Sequence, residues 1–294
     1  MRLRANPESR GAEGFQDQAR AEDWQRIGKV LFESGTVSDV DVQSILQRQD
    51  QTGELFGQAA VALGLISDME LRSAIEQQQK FFVLPEDSDT VDPLVVAAFN
   101  PNDPLSLEVR RLRREITRRA TESDRRILTL ALLAFDANSE RSLIVANLGV
   151  TFAQAGYRTL MVDAVLDHPQ LHGLFRLPNR IGVSTFLSSD VDLDGVGQAT
   201  SVPGLTLMTA GPAVPNAGEL FDRQRLIRRL QPLTDVYDMI ILEVGGEVAL
   251  EASDGSDAML MLTRKGGSDM REVRRVTNAL ATSQTLLLGS VLMD

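Results

Sequence analysis

Residues 127–164 constrain the fold of this chain more than any other stretch. Apolar residues fill 127–135, which is the length of a buried strand, and a polar, turn-forming segment follows at 136–140. Apolar residues then recur at helical spacing through 142–155, and a second apolar run at 158–163 ends in a carboxylate. The pattern predicts strand, loop, helix and strand. Such a unit commonly cradles phosphate, because free backbone N–H groups and the helix dipole point towards an anion.

The sequence that follows alternates short apolar runs with helical patterns. Further strands are predicted at 205–208, 238–243, 258–262 and 285–292, and helices are predicted at 220–230 and 270–281. Strands that alternate with helices indicate a parallel sheet with helices on both faces. We therefore predict an α/β domain with a doubly wound, mostly parallel sheet.

An internal repeat precedes this domain. Residues 27–49 and 56–78 align, so that Gly28 matches Gly57 and Gly35 matches Gly64. Each copy predicts a helix, a glycine stop and a second helix that starts with a capping box, such as the one from Ser67 in the second copy. Two such units can bury their apolar faces on each other, which predicts a small all-α domain. The expected organisation is a mobile tail at 1–21, a helical repeat domain at 22–80, a linker at 81–104 and the α/β domain at 105–294.

Composition excludes several classes of protein. The 294 residues include no cysteine, which rules out disulfides and thiol catalysis, and the net charge of −11 argues against general nucleic-acid binding. No apolar run reaches the roughly 18 residues that a spanning helix needs, and the charged N-terminus lacks the apolar core of a secretory signal. We therefore expect a cytoplasmic protein without a nucleic-acid partner.

A basic helix is predicted at 107–119. It places Glu108, Arg111 and Arg114 on one face, because they are spaced three residues apart. Two interpretations stay open for this face: it is solvated, or it forms a contact between copies of the chain.

Several segments share their pattern with one known family. They are Glu108-x-x-Arg111-x-x-Arg114, Ser142, Ala146-Asn147-Leu148, the run from Gln154 to Ala164, His168-Pro169-Gln170-Leu171-His172, Phe175, Thr209-Ala210-Gly211-Pro212, Pro215-Asn216, Glu219-Leu220 and the run from Tyr237 to Glu243. With these motifs, the region from about residue 92 onward resembles the cytoplasmic kinase domain of the bacterial tyrosine kinases, P-loop proteins that serve capsule and exopolysaccharide synthesis. In that family the first of these motifs is an oligomerisation motif.

The resemblance implies a nucleotide-binding loop at Asn138, Ser139, Glu140, Arg141 and Ser142, where active relatives carry a glycine-rich loop ending in Gly-Lys-Ser or Gly-Lys-Thr. Asn138 and Glu140 replace glycines that let the backbone approach phosphate, and Glu140 adds a negative charge beside the expected phosphates. Arg141 keeps the charge of the family's lysine but not its shape. The loop is therefore predicted to be degenerate.

The acidic positions that the resemblance implies are also altered. Asp163 matches the first aspartate of the family's second acidic motif, but Val165 falls where the next acidic residue would stand, and Glu243 replaces the Walker B aspartate. Ser142 and Asp163 are the expected ligands if Mg²⁺ binds, and we expect ATP or ADP with Mg²⁺ to bind weakly or not at all. The alternative is purely structural: Ser142 caps a helix, and the two carboxylates end strands.

The repeat domain resembles the small N-terminal domain of type II secretion and pilus-assembly ATPases, some of which bind cyclic di-GMP. The start Arg26-Ile27-Gly28 fits that motif, whereas the second copy, Leu55-Phe56-Gly57, lacks the arginine. A helical docking module without a nucleotide is the other interpretation.

Together these resemblances imply a degenerate kinase that regulates exopolysaccharide or capsule synthesis and export. It would act as a homo-oligomer, held at the inner membrane by a membrane-embedded chain-length, or co-polymerase, partner. The alternatives are an active ATP-dependent tyrosine autokinase and a cyclic di-GMP-responsive module. The family's active kinases carry a tyrosine cluster in a C-terminal tail, whereas this sequence has only Tyr157 and Tyr237, so autophosphorylation on such a cluster is not expected.

Overall fold

The computed structural model describes residues 27–28, 31–32, 36–79, 83–123, 125–135, 139–189, 191, 195–215, 217–245, 248–281 and 283–293. The chain divides into two compact units, Met1–Phe82 and Val83–Asp294. The predicted tail at 1–21 lies outside the described residues, as does Arg26. In the described ranges, no helix combines the length and the apolar character that crossing a membrane requires.

The first unit is helical and contains α1 (Asp39–Thr52), α2 (Phe56–Ala62) and α3 (Asp68–Gln79). The capping box before α3 is present, because the Ser67 N–H donates to the Glu70 carboxylate and the Glu70 N–H donates back to the Ser67 hydroxyl. Apolar side chains from both copies of the repeat form one buried cluster: Ile27, Leu31, Val37, Val42, Ile45, Phe56, Ala59, Ala60, Ile66 and Ala74. The two copies therefore bury their apolar faces on each other.

The second unit is built on a seven-stranded sheet, which confirms the predicted fold class. Its strands are β1 (Thr129–Ala134), β2 (Thr159–Asp163), β3 (Gly197–Ala199), β4 (Leu205–Met208), β5 (Met239–Gly245), β6 (Ala258–Arg264) and β7 (Leu286–Met293). They lie in the order β3-β4-β2-β5-β1-β6-β7, and all pairs are parallel except β3 with β4. The central strands β1, β2 and β5 are buried along their whole length, as expected when helices cover both faces.

Helices connect these strands. They are α4 (Pro104–Glu122), α5 (Ser139–Gln154), α6 (Leu171–Leu174), α7 (Val183–Ser188), α8 (Ala217–Phe221), α9 (Arg225–Leu230), α10 (Ala249–Ser253) and α11 (Met270–Leu280). The predicted helix at 142–155 is thus observed as α5, one turn longer at its start. Gly156 follows with φ of 84°, a left-handed conformation that ends the helix before β2.

Two segments differ from the sequence prediction. The helix expected at 220–230 is broken into α8 and α9, because Arg223 and Gln224 both adopt positive φ, 57° and 59°. Part of the segment predicted as a linker packs into the α/β unit: Val91 and Val95 are fully buried, and the Ala97 N–H donates to the side chain of Asn147 on α5 at 2.8 Å. The burial of these two valines, together with this hydrogen bond, makes the segment part of the packed unit despite its linker-like composition.

Candidate functional site

The candidate site lies at the carboxyl ends of the three central strands, which run side by side in the order β2-β5-β1. Asp163, the last residue of β2, pairs in register with Glu243 of β5. The segment after β1 leads into α5, whose first turn carries Glu140, Arg141 and Ser142. Parallel strands thereby bring acidic and basic residues that are far apart in sequence to one edge, which is where α/β sheets usually bind ligands.

Arg141 and Ser142 both contact Glu243. The Arg141 Nε donates to Glu243 Oε1 at 2.7 Å, and the Ser142 hydroxyl donates to the same oxygen at 2.6 Å. The side chains of the ion pair are only 3% and 1% exposed, so this is a buried salt bridge. Among the described residues, the second carboxylate oxygen, Oε2, has no hydrogen-bond partner. The cation that the loop would offer to phosphate is therefore paired with a carboxylate of the same chain.

The two carboxylates of the site are electrostatically strained. Burial raises the pKa of Asp163 well above its ordinary value, and the neighbouring Glu243 carboxylate raises that pKa further. Backbone N–H groups of Val165 and Leu171 donate to Asp163 and oppose this shift in its pKa. Burial also raises the pKa of Glu243, although Arg141 and Ser142 lower it in part. The two adjacent buried acids are therefore coupled, so that the negative charge of one makes ionisation of the other less favourable.

Two further residues shape the site and were missed from sequence. Arg264, at the end of β6, forms an ion pair with Glu140, so the acidic residue that replaces a family glycine is itself neutralised in part. Gly245 leaves the space that the Arg141 guanidinium fills, because a Cβ at this position would collide with Nη1 of Arg141. Neither contact has a local signal, since the partners are more than one hundred residues apart in sequence.

The remaining predicted residues are only partly visible. Asn138 lies outside the described residues, and Ser139 is the first residue of α5. Glu108, Arg111 and Arg114 lie on α4 and are exposed, and an ion pair of 2.5 Å joins Arg111 to Glu108. These three side chains, which are predicted to contact another copy of the chain, are therefore accessible to solvent in the single chain.

The residues of the candidate site are poorly suited to bind a nucleotide tightly. A hydroxyl and two carboxylates are suitable Mg²⁺ ligands by type, but Ser142 is hydrogen-bonded to Glu243 and Arg141 is committed to the same carboxylate. Glu140 adds a negative charge at the helix start, where a phosphate would approach. Within the described part of the chain, no group of three or more His, Cys, Asp or Glu side chains is placed to hold a metal ion. We therefore derive no phosphoryl-transfer step at this site.

The fold and the position of the site define the class: an α/β protein with the P-loop type of sheet, in which a helix follows the first strand of the domain. No family model matches the chain. Curated relatives include the putative tyrosine-protein kinase CapB of Staphylococcus aureus, 32% identical over 52% of this chain and 66% of CapB. Tyrosine-protein kinase YwqD of Bacillus subtilis is 26% identical over 67% of this chain and 84% of YwqD.

A solved structure supports the same relationship. The kinase domain of the Escherichia coli tyrosine kinase Etk superposes with a TM-score of 0.63 at 25% identity, covering 72% of this chain and 84% of that domain. The chain is a homologue of the bacterial tyrosine-protein kinases and carries the fold of their kinase domain, which confirms the predicted resemblance.

Proposed function

We propose that this protein is a kinase-like regulator with little or no phosphoryl-transfer activity, acting in exopolysaccharide or capsule synthesis and export. One observation carries the proposal: Arg141 and Ser142, the two loop residues best suited to bind phosphate and Mg²⁺, are both hydrogen-bonded to Glu243. Phosphoryl transfer depends almost entirely on positioned charge at the transferred phosphate. A cation that is neutralised internally cannot supply that charge.

The energetics support the same conclusion. A phosphate that recruited Arg141 would have to displace a carboxylate at 2.7 Å and leave Glu243 buried beside Asp163 without a counter-ion. Leaving a buried charge unpaired costs about 3–5 kcal/mol. That cost is comparable to a loss of roughly two to three and a half orders of magnitude in nucleotide affinity. Weak or absent binding of ATP and ADP at this site follows from this argument.

The partner and location that we propose rest on the relationship to the kinases. The protein would dock on a membrane-embedded chain-length protein and so be held at the inner face of the membrane. The exposed α4 face with Glu108, Arg111 and Arg114 is the proposed contact between copies of the chain. Cyclic di-GMP binding by the helical unit stays a prediction, because Arg26 lies outside the described residues.

A phosphorylation assay tests the proposal. Purified protein is incubated with labelled ATP and Mg²⁺, and phosphotyrosine is sought by mass spectrometry, with YwqD as the positive control. We expect no stoichiometric modification of Tyr157 or Tyr237. Stoichiometric phosphate on either tyrosine would refute the regulator and establish the rival, an active tyrosine kinase.

The active kinase is kept as a second candidate because of one observation. The acidic residues at the sheet edge are adjacent, and Oε2 of Glu243 has no hydrogen-bond partner among the described residues, which leaves an oxygen available to a cation. If this candidate is right, Mg²⁺ alone should raise the melting temperature of the protein. Replacement of Glu243 by glutamine should abolish that rise.

A further inference from the structure

A second cleft lies at the amino-terminal ends of the strands of the same sheet, opposite the candidate site. It is lined by the segments that precede β1, β6 and β7, including Arg125, Arg126, Ser256 and Gln284, and its volume is about 1050 Å³. β1 has six residues, so the two edges are separated by about 20 Å at roughly 3.3 Å per residue. The cleft is therefore distinct from the site that holds Arg141 and Glu243.

Two neighbouring arginines give the cleft its cationic side. Arg125 and Arg126 are both exposed, and Arg125 is fixed across the cleft because its Nη1 donates to the Gln284 carbonyl at 2.9 Å. Arg126 has no ion pair with any residue in the described ranges, so its donors are available to a ligand. The Asp257 carboxylate does not neutralise the two arginines on the solvent-facing side of the cleft, since it already accepts three hydrogen bonds from Leu128 and Thr129.

An unpaired buried hydroxyl lies in the same lining. Ser256 is only 3% exposed, and its Oγ has no hydrogen-bond partner within the described structure. A buried hydroxyl without a partner is unfavourable, and in native proteins each such group calls for an explanation such as an ordered water, an ion or a bound ligand. The cleft thus combines a cationic wall with a polar atom that a ligand would satisfy.

The backbone that forms the neighbouring wall of the cleft is strained. Gln224 lines the cleft with φ of 59°, it follows Arg223 with φ of 57°, and its side chain packs against Gly255. Two successive non-glycine residues in the left-handed region are uncommon, and such strain concentrates at ligand sites. Gln224 and the exposed carboxylate of Asp254 add an amide and an acceptor that suit hydroxyl groups.

We propose that this amino-edge cleft binds a phosphate group carried on a polyol, that is, a sugar phosphate or a nucleotide. The arginines would hold the phosphate, and Ser256, Gln224 and Asp254 would accept or donate hydrogen bonds to the hydroxyl groups. The volume lies just above the range of about 300–1,000 Å³ that is typical of small-molecule sites, so it exceeds what a single phosphate fills. The proposal is independent of whether the opposite edge binds nucleotide.

Calorimetric titration of the full chain in magnesium-free, low-salt buffer tests it, with glucose 1-phosphate, ADP and inorganic phosphate as probes. We expect saturable binding of glucose 1-phosphate or ADP and weaker binding of inorganic phosphate. The tighter of the two organic probes identifies the source of the phosphate. Arg126→Gln should weaken that binding roughly tenfold, because it removes one charge-assisted hydrogen bond to the phosphate. Arg126 is exposed, so this substitution should leave the fold intact.

Two more variants complete the test. Ser256→Ala should also weaken binding while it leaves the melting temperature unchanged or higher, because it removes an unsatisfied hydroxyl. Arg180→Gln, at an exposed arginine outside the cleft, should change nothing. The proposal is overturned if neither organic probe saturates, if inorganic phosphate binds equally well, or if Arg126→Gln binds as tightly as the wild type.

Discussion

Replacing Glu243 by glutamine should destabilise the α/β unit more than any other single-atom change at the candidate site. Arg141 Nε and the Ser142 hydroxyl both donate to Oε1, which the glutamine carbonyl retains, and the amide nitrogen would take the place of Oε2, which has no hydrogen-bond partner among the described residues. The substitution therefore removes the charge and keeps the hydrogen bonds. It leaves the Arg141 guanidinium, 3% exposed, without its hydrogen-bonded counter-ion, although the Asp163 carboxylate still interacts with it electrostatically.

Breaking a buried ion pair in this way costs about 3–5 kcal/mol, because the remaining charge stays desolvated. For a unit of this size the melting temperature should fall by roughly 10 °C. Urea unfolding of both proteins at pH 7, followed by circular dichroism, measures the difference. The double variant Arg141→Met with Glu243→Leu should recover most of the loss, since it removes both desolvated charges together.

Asp238→Asn is the matched control. It neutralises a pair with Arg158 of 3.1 Å, whose side chains are 25% and 52% exposed, near the starts of β2 and β5. Solvent screens this pair, so the cost should not exceed about 1 kcal/mol. If Glu243→Gln costs no more than Asp238→Asn, or if the double variant is as unstable as the single one, then Arg141 is not held by Glu243 and the reasoning fails.

Three further predictions concern neighbouring features. The pKa of Asp163 is raised in the folded state above the ordinary value of 3.8, so its contribution to stability is full below pH 3.8 and is lost as pH rises through the folded pKa. Relative to Asp163→Asn, the wild type should become less stable between pH 3 and 7, and a constant difference in unfolding free energy would contradict this. Gly245→Ala should lower the melting temperature, because its Cβ meets the Arg141 guanidinium, and an unchanged temperature would show that the guanidinium moves freely. Arg111→Glu should shift the sedimentation coefficient towards that of a monomer, because it reverses the charge of an exposed face on α4, whereas an unchanged profile would return that face to solvent.

The sheet was predictable from sequence because its strands are short apolar runs between turn signals. The predicted run at 205–208 coincides with β4 (Leu205–Met208), and 258–262 begins β6 at the right residue. β3 (Gly197–Ala199) was missed, since three partly exposed residues at an antiparallel edge carry no apolar pattern. Apolar periodicity in a sequence reflects which side chains are buried, and a three-residue edge strand buries few side chains.

Local periodicity also hides breaks and long-range contacts. Leu226 and Leu230 are buried four residues apart, as on one helical face, but Phe221 lies five residues before Leu226 and off that face, so this single spacing is the only trace of the turn at Arg223 and Gln224 among these buried positions. The predicted linker was assigned from its Asp and Pro residues. Its hydrogen bond to Asn147 joins residues fifty positions apart, which no local window contains.

The candidate site was predictable in its residues and not in its contacts. The resemblance to the kinases singled out Ser142, Asp163 and Glu243; Asp163 and Glu243 lie in register at the ends of β2 and β5, and Ser142 lies in the first turn of α5. The pairing of Arg141 with Glu243 depends on side-chain direction and on the space beside Gly245. Both are properties of packing that appear only when the strands are assembled.

The most direct test of the central claim is calorimetric titration of the Arg126→Gln variant, whose second cleft should bind a nucleotide only weakly, with ATP in the presence of Mg²⁺. If Glu243 holds Arg141 in an ion pair and so keeps it from the phosphate, the titration should not reach saturation below millimolar concentrations of nucleotide. Saturable binding at micromolar ATP would contradict the account, because it would mean that Arg141 leaves Glu243 for phosphate at little cost.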